Sequence, residues 1–152
     1  MIDGNSGIVH FDDPKIDLSA NFDKKWAEDL CEAGLLSKVL WNKEYELFNF
    51  NSWKAEGQQF AANISLQSEK LVTIQLVMHI SDEPISWSEW NEEIEIKRKG
   101  IHDSFLAREF GKRLDDEYGA YSFRWGKAQS IRDPREGTAT ILISYRKESL
   151  NE

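Results

Sequence analysis

Two stretches of the chain alternate apolar and polar residues strictly, and they bracket a third that repeats every three to four positions. From Gln58, the residues Phe60, Ala62, Ile64 and Leu66 face one way, while Gln59, Asn63, Ser65 and Gln67 face the other. Val72, Ile74, Leu76, Met78 and Ile80 repeat the inward set against Thr73, Gln75 and His79. Gln67-Ser68-Glu69-Lys70 lies between the two runs as a short turn, so 58–80 predicts a β-hairpin. Later, Tyr121, Phe123 and Trp125 alternate with Ser122 and Arg124, and Ala139, Ile141, Ile143 and Tyr145 alternate with Thr138, Thr140, Leu142 and Ser144. Asp133-Pro134-Arg135-Glu136-Gly137 has turn chemistry, with Pro presetting φ and Gly free to go left-handed. A second hairpin over 120–146 follows, with Gly126 marking a bulge.

Between the hairpins the period lengthens. Pro84 ends the strand, and Ser86 and Glu89 have the spacing of a capping box. Trp87, Trp90, Ile94, Ile101 and Phe105 fall on one helical stripe, and Leu106, Phe110 and Leu114 fall on another. One straight helix cannot bury both stripes against one sheet. The pattern therefore predicts helices over 86–99 and 103–117, broken near Gly100, with Asp103 or Ser104 capping the second. An earlier helix is expected over 21–33, capped by Ser19 or Asn21, with Phe22, Trp26, Leu30 and Ala33 inward. Gly34 would end it in the left-handed conformation with Leu35 packing back.

Residues 1–18, rich in Gly and Asp, read as a loose arm holding one short strand. Residues 35–56 carry many aromatics at no clean period and suggest one strand near 45–50 within irregular structure. The sum is one α+β domain: four to five antiparallel strands with helices on one face. The other face would present Gln59, Asn63, Ser65, Thr73, Gln75, His79, Arg124, Thr140 and Arg146.

Composition changes this picture little. With 152 residues, 40% of them hydrophobic, the chain can fold around its own core without disulfide or metal. Cys31 is the single cysteine, and no basic neighbour is evident to make it a thiolate, so it reads as a structural thiol. The first fifteen residues lack the basic and apolar regions of a secretory signal, and no run is long enough to span a bilayer. A cytoplasmic location is expected.

Charge changes it more. Residues 1–117 hold 13 Lys+Arg against 23 Asp+Glu, a balance of −10, whereas 118–152 hold 6 against 4. Such a surface repels nucleic-acid phosphate and anionic membranes and suits a basic protein partner. Phosphate-binding, nucleophile-elbow and zinc motifs are absent from the sequence, and no cofactor is expected. His102-Asp103-Ser104 are consecutive and cannot face one another on a helix, so they read as a helix-start cap. His10-Phe11-Asp12-Asp13 has atoms suited to a cation but reads more simply as an acidic loop. A pocket on the polar sheet face around His79 and Arg124 is the small-molecule or enzymatic alternative.

Between Asp82 and Ile96 there are six acids and no base. Glu89, Glu92 and Glu93 ring Ile96, with Asp82 and Glu83 before them. Two readings stand: a solvated face with Ile96 tucked against a neighbour, or an apolar anchor with a carboxylate rim shaped for a basic partner. Asp115 and Asp116, at an expected helix C-terminus where the dipole disfavours them, extend the same candidate surface. In overall character the chain resembles the cytoplasmic immunity proteins that bacteria pair with polymorphic or contact-dependent toxins. The resemblance lies in the Trp-bearing acidic run SWSEWNEEIEI and the closing stretch WGKAQSIRDPREGTATILISY. It carries no residue roles. It implies a non-enzymatic protein that occludes the active or substrate site of a basic toxin domain. A chaperone or adaptor for a secreted effector would use the same surface.

Overall fold

The computed structural model describes residues 1–41, 44–80, 92–111, 120–133, 135 and 137–146. Their order is β1 (Val9–Asp12), β2 (Lys15–Leu18), α1 (Lys24–Glu32), β3 (Ser37–Trp41), β4 (Tyr45–Ala55), β5 (Gln58–Gln67) and β6 (Lys70–Met78). Then follow α2 (Glu92–Phe110), β7 (Ala120–Phe123), β8 (Gly126–Arg132) and β9 (Ala139–Tyr145). The α+β class is as expected, but the sheet is larger. Seven strands run in the order β3-β4-β5-β6-β9-β8-β7, and β1 and β2 form a separate pair. Every pairing between these strands is antiparallel.

The hairpin expected over 58–80 is β5–β6. Its turn residues Ser68 and Glu69 have φ of 51° and 70°, the positive pair that matches strand twist in a two-residue connection. Glu56-Gly57 turns β4 into β5 the same way, at 51° and 79°. The cross-strand register lines up Phe48, Ile64, Ile74 and Ile143 on one face, with Phe50, Ala62, Leu76 and Ile141 beside them. These rows form the floor of the core. A register shift between Ser65 and Leu66 seats Leu71 opposite Leu66, so Leu71 is buried where the alternation pointed to Val72. On the outer face Ser65 is also buried, with its hydroxyl 3.2 Å from that of Tyr45.

Residues 35–56 are more regular than their spacing suggests. They form β3 and the eleven-residue β4. A register shift between Phe50 and Trp53 inserts an extra residue, so both rings point into the core and stack at 3.8 Å. That bulge is what hid the period-two signal. The 27 residues of the expected second hairpin, 120–146, hold three strands, because Arg124-Trp125 is a turn. Gly126 opens β8 rather than bulging, at φ 152°. A Cβ there would overlap the Ser144 carbonyl oxygen.

The arm expected at 1–18 is not loose. Val9, Phe11, Ile16 and Leu18 alternate inward on β1 and β2, and Phe11 meets Phe50, Trp53 and Phe60 edge-on. Helix α1 begins later than expected. Asp23, not Ser19 or Asn21, caps it by accepting from the Trp26 amide at 3.0 Å. Its end is as read: Gly34 sits at φ 78°, and the Leu35 amide donates back to Leu30. Phe22, Ala27 and Leu30 are buried, while Trp26 lies over Phe22 but stays 42% exposed. Ala33, expected inward, is exposed.

Helix α2 runs unbroken through Gly100 to Phe110. The expected break, and a cap at Asp103 or Ser104, are both overturned. Gly111 ends it at φ 60°, donating to the Ala107 carbonyl, so α2 stops well short of residue 117. The β1–β2 pair, α1 and α2 all cover the same sheet face, and α2 lies over β6, β9 and β8.

Candidate functional site

The expectation of two helices failed because it assumed that only apolar residues turn inward. The buried residues of α2 are Glu95, Arg98, His102, Phe105 and Leu106, a normal inward stripe at helical spacing whose first half is polar. Two of the polar members, Glu95 and His102, each hold a strand end. Glu95 accepts from the Ala139 amide at 3.0 Å, at the start of β9, and its other oxygen lies 3.4 Å from Arg98. His102 Nε2 accepts from the Met78 amide at 3.1 Å, at the end of β6. Within the last turn of α2, Glu109 accepts from the Ile2 amide at 2.7 Å. Sheet termini that would otherwise leave buried donors unmade are closed by the helix.

With those residues inward, the opposite side of α2 faces out. Glu92 and Glu93 are exposed, and Ile96 is 54% exposed, the largest such fraction among the bulky apolar residues described. Ile96 is therefore not tucked against a neighbour. Further along, the outer face turns mixed: Lys97 is exposed, and Lys99 pairs with Asp103 at 2.7 Å. Glu92 also reaches Arg132 of β8 at 3.3 Å. Glu95, the third acid of this turn, is committed to the core and presents nothing outward.

Three of the eight candidate partner-binding residues, Glu92, Glu93 and Ile96, are thus brought together on one exposed turn. Asp82, Glu83, Glu89, Asp115 and Asp116 lie outside the described residues, as do Trp87 and Trp90. The alternative pair does not meet. His79 follows β6 at the end where its amide donates to Gln59. Arg124 sits in the β7–β8 turn, beside the Tyr145 end of β9. The β6–β9 register puts these at opposite ends of the sheet, more than about 20 Å apart at ~3.3 Å per residue.

No protein-family model, curated protein or solved structure matches this chain. Cys31 is half-buried, and burial pushes its thiol up, Lys38 opposing only in part, so it is a poor nucleophile. His10 bonds Asp17 across the β1–β2 pair at 2.7 Å, and Asp12 accepts from the Glu56 amide. Among the described residues no three His, Cys, Asp or Glu side chains gather to hold a metal. None of the described helices is long and apolar enough to cross a membrane.

His102, read from its neighbours as part of a helix-start cap, is instead a core residue within α2. It is fully buried, and burial holds its imidazole at about 3, with the Arg98 charge pressing in the same direction. Its signal in the sequence was spacing: it lies four residues after Arg98 and three before Phe105, on the stripe that turns inward.

Proposed function

We propose that the protein is a non-enzymatic binding protein that neutralises a basic bacterial toxin domain, and that the start of α2 contributes to the contact. The observation that carries this reading is Ile96, an isoleucine more than half exposed one helical turn after the exposed Glu92 and Glu93. An exposed apolar side chain beside charged groups is the composition of an interface hot spot, where burial supplies affinity and the charges select the partner. The excess of acid over the first 117 residues would speed encounter with a basic surface. The resemblance to immunity proteins agrees with both features.

The test is rescue. Cells carrying the chain and a toxin domain encoded beside it should survive, and the Ile96→Asp/Glu93→Lys variant should lose protection by at least about tenfold in binding, the scale of one hot-spot truncation. Both positions are exposed, so circular dichroism should show an unchanged fold. Association should also slow steeply with salt. Full protection by the variant would remove α2 from the interface, and capture of an effector without inhibition would mark an adaptor instead.

A further inference from the structure

A cavity of about 370 Å³ opens where β4 has a gap in its outer edge. On one side, β3 pairs with β4 only as far as Ser37 opposite Asn49. On the other side, Asp13 bridges antiparallel to Lys54, each amide donating to the other's carbonyl. Between these two pairings, no described strand lies along the outer side of Phe50–Trp53. The gap is four residues long, about 13 Å of extended chain, and it coincides with the bulge at Asn51 and Ser52. Gly34 and Leu35 line it as well, and the Leu35 carbonyl accepts from the Trp53 indole at 3.2 Å.

The edge is thus a line of strand pairing with its middle piece missing, and both flanking pieces run antiparallel to β4. We propose that this slot accepts an extended, uncharged peptide segment of about four residues from a partner protein, added antiparallel to β4 between Asp13 and Ser37. Main-chain pairing along an exposed sheet edge gives such a site its affinity, and pockets for alternate side chains give its selectivity. Leu35 and Pro14 offer an apolar seat. Asn49 and Asn51 offer amides to polar side chains, and Asp13 and Lys54 balance each other in charge, so neither sign of peptide is favoured. The slot is separate from the outer face of α2, and the inference stands or falls without it.

The full chain, labelled with ¹⁵N, is titrated with an acetylated and amidated hexapeptide of alternating threonine and valine. A control peptide has proline in place of each valine. The amide resonances of Phe50, Asn51, Ser52 and Trp53 should move, with intermolecular contacts to the peptide backbone. The proline peptide should bind at least about tenfold more weakly, because proline removes main-chain donors. Ser37→Tyr, at an exposed position flanking the slot, should weaken the threonine–valine peptide by a similar factor, and Asn51→Arg provides a second block if that variant misfolds. No movement at these amides with millimolar peptide overturns the proposal. Equal binding of the proline peptide, or movement confined to α2 or to the β7 edge, does the same.

Discussion

His102 shows how one side chain links helix placement to acid stability. Its Nε2 accepts from the Met78 amide, so the neutral ring is the form the fold requires, with the proton on Nδ1. Burial, and then Arg98, hold the ring at about 3 against an ordinary 6.5. Between those values the unfolded chain takes up a proton that the folded chain refuses. The stability contributed by this group is complete above about pH 6.5 and is lost as pH falls toward 3, by at most ~1.4 kcal/mol per pH unit. His102→Gln keeps an acceptor within reach but does not titrate. In urea unfolding, the variant should start less stable at pH 7.5, by about 1–3 kcal/mol for imperfect satisfaction of a buried donor. The difference should then shrink as pH falls through the window. Parallel loss of stability in both proteins would assign the acid sensitivity elsewhere.

At the scale of an element, α2 separates what its sequence reveals from what it hides. Helical periodicity is visible in it, and so is the turn-ending role of glycine, which Gly34 plays for α1 and Gly111 for α2. Gly100 was the misleading case. Its position between two apolar stripes suggested a break, yet the inward stripe runs straight past it through Glu95, Arg98 and His102, residues that hydropathy places outside. Glu95 and His102 go inward here because strand ends need closing, and that demand comes from tertiary structure that no local pattern encodes. The strands were more legible. Alternation located β5, β6 and β9, and it failed in β4 where the bulge before Trp53 shifts the phase. Gly100 itself offers a direct check. It is exposed, it lies within α2, and a Cβ there meets nothing within 4 Å. Gly100→Ala should stabilise the protein by roughly 0.5–1 kcal/mol, the difference in helix propensity, read as a rise in the denaturation midpoint at constant slope. A loss of stability would restore the hinge that the sequence suggested.

For the whole molecule, the question is whether the first eighteen residues belong to the fold or merely lie beside it. Their composition, rich in Gly and Asp, is that of a loop. The structure makes them the lid over the β4–β5 end of the sheet, just as α2 is the lid over β6, β9 and β8. The two lids meet through aromatic rings: Phe11 packs on Phe60 at 6.2 Å, and Phe60 packs on Phe105 of α2 at 5.8 Å. Phe11 also contacts Phe50 and Trp53 at 5.5 and 5.1 Å, so removing its ring would open a void at the junction of three elements. Phe11→Ala should therefore cost about 3–5 kcal/mol, the usual range for a buried phenylalanine. A loosely attached arm would instead change stability by less than about 0.5 kcal/mol. Cooperativity distinguishes the cases independently. Tryptophan fluorescence, which includes Trp53 beside Phe11, and far-ultraviolet dichroism, which includes α2, should unfold at one midpoint in the parent. In the variant both should move down together if the lids share one core, whereas a shift in fluorescence alone would show the N-terminal pair opening by itself.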